Sequence, residues 1–255
     1  MSYCANTETQ RNEMLARCGA GSIEELFSDI PASLEPKSFD LPAGRSELEV
    51  ESYFKHLAGQ NYSHLINFLG GGFYDHFIPA AVDAIASRSE FYTAYTPYQP
   101  ELSQGTLQSI YEYQTAVCRL TGMDVANASM YDGGTALYEA CQMAVHATRR
   151  NRVVIDSGVN PIYKKMIYSY TANLSIDFEE VAVSHGQSDR ESLCAALNDE
   201  TAAVIVQNPN FFGVIDDHSD IVKTCHDRGI MVIQSVYPIA LALCKSPGEM
   251  GVDIA

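Results

Sequence analysis

Basic residues are scarce: Lys and Arg number 16 in 255, against 32 Asp and Glu, for a net charge of -16 with histidine neutral. That balance repels phosphate backbones and anionic lipid, so nucleic acid is not an expected partner. Long apolar runs are missing too. No stretch approaches the ~18 uninterrupted apolar residues of a membrane span. The opening MSYCANTETQRNEM has neither the basic start nor the apolar core of a secretory signal. No membrane partner and a cytoplasmic location are expected. The seven cysteines are scattered without a CxxC pair, which argues against a disulfide framework or a zinc ribbon and leaves ordinary free thiols. The histidines form no HExxH and no cluster with cysteine, so no metal site is expected. The chain also lacks GxGxxG, GxxxxGK[ST] and GxSxG, which removes the nucleotide-loop and serine-nucleophile readings. No internal repeat is visible.

What is present suits a globular α/β chain. With 46% apolar residues, the length is ample for a sizeable core. Near the start, Ser22 precedes Glu25 by three residues and Ser46 precedes Glu49 by three, a spacing that predicts two short helices opened by reciprocal caps. Pro31, Pro36 and Pro42 punctuate the run between them, which reads as an extended connector. Residues 1–66 are therefore expected to form a helical appendage and connector, and 67–255 the main domain. Residues 67–102 combine Gly70–Gly72 with many tyrosines and phenylalanines and read as loop-rich; the triple glycine suggests a tight turn or close backbone approach. Apolar spacing predicts one long helix over 103–120, ended by Gly122. Beyond it, strands at 152–156, 176–183, 202–207 and 231–235 alternate with helices at 133–149, 160–171, 188–198 and 216–228. Such alternation predicts βαβ units and a mainly parallel sheet. The final GVDIA begins like another strand and stops, so the chain reads as truncated at its C-terminus.

Four features could carry chemistry. Gly133, Gly134 and Thr135 stand where a segment expected to be buried, 126–130, gives way to a helix, and so form a possible anion cradle. The plainer reading makes Asp132 an N-cap beside two geometric glycines, with its charge opposing phosphate. Tyr95, Thr96, Tyr98, Gln99 and Glu101 offer phenol, hydroxyl, amide and carboxylate groups on a segment stiffened by Pro97 and Pro100; such loops line pockets, although tyrosines also simply pack. Asn208 follows a predicted strand at its carboxyl end, where open α/β sheets bind ligands. The lysines at 37, 55, 164, 165, 223 and 245 all read as solvated, in polar, helical or loop settings. The last strand ends in Gln234 and Ser235, with no carboxylate.

The strings NFLGGGFYDHFIPAAVDAI, FYTAYTPYQPELSQGTLQSIYEYQTAVCRLTGMDVANASMYDGGTALYEA, VQNPNFFGVIDD and PIALALCKSPGEMGVDIA together resemble subunit 1 of the glycine decarboxylase P-protein over essentially the whole chain. The resemblance implies an α/β, fold-type-I pyridoxal-phosphate (PLP) transferase-like large domain that pairs with a homologous subunit 2. It also implies that the lysine carrying PLP belongs to subunit 2, in agreement with the unsuitable settings of the lysines here. Glycine would be the substrate, and the lipoyl group of H-protein would accept the aminomethyl group. The 95–99 loop would face the shared site. Two departures stand out: relatives often read DGAT where this chain has Asp132-Gly133-Gly134-Thr135, and VDP where it has Val236-Tyr237-Pro238. The family's subunit 1 also continues well beyond Ala255. A non-catalytic truncated homologue, acting as a binding or regulatory partner, is the competing reading, and a free-standing PLP lyase ranks last.

Overall fold

The computed structural model describes residues 5–255 apart from Pro36, Lys37, Phe39, Asn67, Leu69, Gly71, Phe73, Tyr74, Thr93 and Ala94, so the sequence readings that fall on these ten lie outside the described residues. The chain divides into two compact units, 1–68 and 69–255.

The first unit holds two helices, α1 (Glu8–Cys18) and α2 (Glu47–Gly59). Helix α2 starts as the sequence predicts, with Ser46 N donating to Glu49 Oε2 at 2.7 Å and Glu49 N to Ser46 Oγ at 3.4 Å. Helix α1 was not anticipated. Its signal is a second capping box, in which Thr7 N donates to Gln10 Oε1 (2.9 Å) and Gln10 N to Thr7 Oγ1 (3.3 Å). Its apolar periodicity is faint, since only Leu15 is buried. The helix expected at Ser22 is instead a single 3-10 turn, Glu24–Phe27, with Ile23 at its cap position. Pro31 lies four residues beyond and disfavours helical backbone just before it, so the turn cannot propagate.

The second unit opens with α3 (Ala80–Ala86) and α4 (Ser89–Tyr92), two short helices in the stretch expected to be loop. Neither has a buried residue, which explains the absence of a readable period. Helix α5 (Gln104–Thr121) ends at Gly122 in the left-handed conformation, as predicted. There follow α6 (Gly133–Thr148), β1 (Arg152–Asp156), α7 (Pro161–Thr171), β2 (Asp177–Val181), α8 (Arg190–Ala196), β3 (Thr201–Asn208), α9 (Ser219–His226), β4 (Met231–Val236) and α10 (Pro247–Met250). The expected βαβ alternation is thus present, with ends within a few residues. Residues 126–130, expected to be buried, are mostly exposed coil. They lie before the sheet begins and pair with no strand.

The four strands pair in parallel throughout, in the order β2-β1-β3-β4. Every residue of β3 is buried, whereas edge strand β2 carries Asp177, Glu179 and Glu180 and is mostly exposed, as suits an edge that must not recruit further strands. On one face Leu137, Ala140, Val153, Ile155, Ile167 and Ile205 join α6 and α7 to the sheet; on the other Val154, Leu193, Val204, Val206, Ile221 and Val232 join α8 and α9. The chain steps from β1 to β2 in one direction and from β2 across to β3 and β4 in the other. Right-handed crossovers then require α7 on one face and α8 and α9 on the opposite one, as found. Asp253 N donates to Val232 O and Ile254 bridges Ile233 in parallel, so the terminal residues lie along β4.

Two arginines fasten the amino edge. Arg152 donates to Ala196 O (2.6 Å), the last carbonyl of α8, and pairs with Glu179; Arg150 donates to Arg228 O and Gly229 O just beyond α9 (3.2 and 3.1 Å). Each supplies a cation and donors where helical carbonyls run out of partners. Lys164, expected to be solvated, is buried on α7: its ammonium pairs with Glu180 and donates to Ser157 O (3.3 Å). The amphipathic period of α7 turns it inward, where β2 supplies the counter-charge.

Helix α5 is tied to α10 by glycine on glycine. A Cβ on Gly248 would overlap the Gly122 carbonyl, backbone against backbone. Gly248→Ala should therefore lower the thermal midpoint by roughly 2–10 °C, the range expected for overpacking in a chain of this size. Arg149 offers the converse: it ends α6 in the left-handed conformation (φ 60°), is exposed, and makes no ion pair among the described residues. Replacing it with glycine removes the Cβ penalty at some cost in helix-dipole attraction, so Arg149→Gly should raise the midpoint by roughly 1–3 °C in calorimetry.

Candidate functional site

Because the chain leaves β1 toward β2 on one side and reaches β3 on the other, the carboxyl ends of β1 and β3 diverge into a crevice, the position at which open α/β sheets bind ligands. The turn 156–160 after β1 and the loop 208–218 after β3 border it. Two earlier segments reach the same edge. A Cβ on Gly72 would stand 2.6 Å from Asn160 Nδ2, and one on Gly133 would stand 2.7 Å from the Tyr163 hydroxyl at the start of α7.

The amide side chains at and after the end of β3 are committed to backbone. Gln207 Oε1 accepts from Asn160 N (2.9 Å), and its Nε2 donates to Pro209 O (3.1 Å). Asn208 is buried; its Nδ2 donates to Asp216 O (2.8 Å) and its Oδ1 accepts from Asp216 N (3.1 Å). Asn210 donates to Gly186 O (2.7 Å) and accepts from Phe212 N and Val214 N. The amide-rich run QNPN therefore closes and braces the loop, and Asn208 stands at the crevice with its amide occupied.

Helix α6 begins at the same edge. Asp132 Oδ1 accepts from Thr135 N at 2.9 Å and Thr135 Oγ1 accepts from Asp132 N at 3.2 Å, so the acid caps the helix as the plainer sequence reading holds. Gly133 and Gly134 let α7 approach: side chains at these positions would meet Tyr163 and Met166. An alanine in place of Gly134 would press on Met166, a flexible thioether that can yield.

The tyrosine loop is presented outward. Tyr95 is 92% and Tyr98 79% exposed, and Thr96, Gln99 and Glu101 are exposed as well. Tyr98 N donates to Thr96 O (2.9 Å) and Leu102 N to Gln99 O (3.0 Å), a local turn that fixes the backbone and leaves the side chains outside. These candidates share one loop, while Asn208 and Gly133–Thr135 share the carboxyl edge. Tyr131, at 98% exposure beside the α6 cap, is a further aromatic that the sequence reading passed over.

Other reactive groups are quiet. Cys141 and Cys225 are buried, and burial pushes each thiol up to about 12, far from a nucleophilic thiolate. Recesses of about 570 and 360 Å³ open at the amino edge around Arg152 and Arg150, whose guanidinium groups are held as described above. Among the described residues no group of three or more His, Cys, Asp or Glu could hold a metal ion, and no helix is long and apolar enough to cross a membrane. The group missed by sequence reasoning lies beneath the crevice: Asp156, His218 and Gln234, each almost wholly buried. A lone histidine in the first turn of a predicted helix carried no signal of burial.

Known proteins share this sequence and fold. The family model described as Glycine cleavage system P-protein matches residues 1–255. A protein named probable glycine dehydrogenase (decarboxylating) subunit 1 from Geotalea daltonii is 57% identical over 254 residues, covering 100% of this chain and 57% of that protein. A crystal structure of glycine decarboxylase (P-protein) of the glycine cleavage system, in inhibitor-bound form, aligns with TM-score 0.90 at 39% identity, covering 99% of this chain and 57% of the other. The sphingosine-1-phosphate lyase of Burkholderia pseudomallei, at 13% identity and TM-score 0.56 over 80% of this chain and 50% of its own, shares the fold. The chain spans a little under three fifths of the length of the relatives it matches.

Burial holds the His218 imidazole below its ordinary value; the carboxylates of Asp216 and Asp156 and the Gln234 amide oppose that shift, and Arg190 adds to it. The unfolded chain then binds the proton more readily than the folded one. His218 should cost stability as pH falls through about 6.5 toward its depressed folded value, and nothing at higher pH. Thermal midpoints measured from pH 7.5 to 5.5 should fall more for the parent than for His218→Gln; parallel curves would show that the ring does not titrate as its burial requires.

Proposed function

The chain belongs to the glycine cleavage system P-protein family, and on that premise we propose that it serves as a subunit 1-type part of glycine decarboxylase that works only with a second chain. The carrying observation is a match along the whole chain to a P-protein at TM-score 0.90 and 39% identity. The assembled enzyme would decarboxylate glycine and pass the aminomethyl group to the lipoyl arm of H-protein. PLP, when bound, supplies the electron sink for that chemistry.

The described residues of this chain do not fit covalent retention of PLP. Lys55, Lys223 and Lys245 pair with Glu51, Asp227 and Asp217, Lys164 pairs with Glu180, and Lys165 is exposed on α7. The crevice amides are spent on loop backbone. This supports a division of labour in which subunit 2 carries the PLP lysine and this chain contributes walls and donors. The outward loop with Tyr95, Thr96, Tyr98, Gln99 and Glu101 is the best-suited contribution: two rigid aromatic rings with hydroxyls, backed by polar groups, are available to a neighbouring chain. Gly133, Gly134 and Thr135 lie at the carboxyl edge as a second candidate contact, for an anionic group.

Glycine-dependent exchange of labelled bicarbonate tests the reading. With subunit 2, H-protein and PLP present, exchange should appear on adding this chain or a full-length relative and vanish when it is omitted. Tyr95→Ala and Tyr98→Ala should each lower exchange by about tenfold or more, with the thermal midpoint unchanged because both rings are exposed. Pairing without exchange, with the full-length control active, would instead indicate the non-catalytic partner that the occupied crevice also suits.

A further inference from the structure

The buried polar group beneath the crevice takes no part in the function proposed above. Asp156 ends β1, Gln234 lies on β4, and His218 stands at the cap position of α9 with its backbone N–H directed at Met250 Sδ (3.4 Å). Ile155 pairs with Ile205 and Val206 with Gln234, so Asp156 and Gln234 flank Val206 on the sheet face that α9 covers. The three side chains are 2%, 1% and 1% exposed. Asp156 Oδ1 accepts from Gly158 N at 2.5 Å, but Asp156 Oδ2, both ring nitrogens of His218 and both amide atoms of Gln234 are sealed from solvent without a hydrogen-bond partner. Gln234 lies within hydrogen-bonding range of His218 and opposes the lowering of its imidazole, but the two side chains are not aligned for a full direct bond.

Buried polar atoms are almost always satisfied, by protein or by internal water, and leaving them unmet costs stability. Here the unmet atoms belong to three separate elements, with Asp156 and Gln234 both close enough to act on the His218 ring, and together they are complementary to one small molecule that both donates and accepts. We propose that Asp156, His218 and Gln234 enclose an internal water site. The water donates to Asp156 Oδ2 and to the acceptor nitrogen of His218 or Gln234 Oε1, and accepts from Gln234 Nε2 or the ring N–H. A neutral imidazole, which burial favours, supplies one donor and one acceptor. The charged groups facing the ring are Asp156 itself, Asp216 and Arg190, and the last two are engaged with each other at 2.5 Å. The water would join three parts of the crevice floor: the turn after β1 through Gly158, strand β4, and the loop 208–218, whose far end Asn208 already ties to Asp216.

The test combines a high-resolution crystal structure of the unsubstituted protein with a thermal double-mutant cycle on His218→Leu and Gln234→Leu. Electron density for a water within hydrogen-bond distance of at least two of the three side chains is expected. Each single substitution leaves the water and its remaining partners unmatched and should lower the midpoint. The double substitution expels the water and strands Asp156 Oδ2, so the two losses should not add. A direct His218–Gln234 hydrogen bond with no density between them, or strictly additive losses, overturns the proposal. If either variant fails to fold, the density in the unsubstituted protein decides alone.

Discussion

A parallel sheet has to be covered on both faces, and the second unit is organised around meeting that requirement. Strand β3 is buried along its whole length, so helices must lie above and below it, and the handedness of the crossovers fixes which helix goes where. Helices α6 and α7 take one face and α8 and α9 the other. The reversal of direction that this requires opens the crevice between β1 and β3. The position of the crevice is thus a by-product of covering the core. The arginines at the amino edge serve the same end: Arg150 and Arg152 hold the carbonyl ends of the crossover helices against the strands that follow.

The two edges of the sheet differ in how their polar groups are used. At the amino edge cations meet helix termini and an acidic edge strand. At the carboxyl edge, amides that elsewhere would meet a ligand bind the chain's own loops: Gln207, Asn208 and Asn210 each donate to and accept from backbone. A crevice so braced is suited to holding shape. The aromatic loop that precedes α5 is the opposite case, with a fixed turn and side chains that touch little of their own chain. A braced loop after β3 and an outward-facing aromatic loop suit the proposed role, in which this chain would contribute surface to a site shared with a second chain.

Several features were legible because their causes are local. The capping box at Ser46 and Glu49 depends on residues three apart, and Gly122 announces the end of α5 because few other residues adopt the left-handed conformation there. Strands β1, β3 and β4 stood out as apolar runs because they are buried on both faces. The misses have local causes too. Helix α1 contains one buried residue, so a capping box that was present in the sequence had no periodic stretch to support it. The short helices α3 and α4 bury nothing and left no pattern. The segment 126–130 looked apolar and is mostly exposed, since hydrophobic composition does not say whether another element lies across it.

The sequence alone determined the α/β alternation and the caps and stops of the longer helices, because each rests on residue type and short spacing, while long strings along the whole chain carried the resemblance to the family and singled out the aromatic loop as a candidate. Only the tertiary structure decided which polar groups are spent and which are free. Asn208 and Lys164 read alike as polar residues in accessible places, yet one is bonded to Asp216 and the other is buried against Glu180. The burial of Asp156, His218 and Gln234 together is the clearest case. Asp156 lies 62 residues before His218 and Gln234 lies 16 after it, and only the parallel register and the placement of α9 bring them together beneath the crevice, a long-range arrangement that no local pattern encodes.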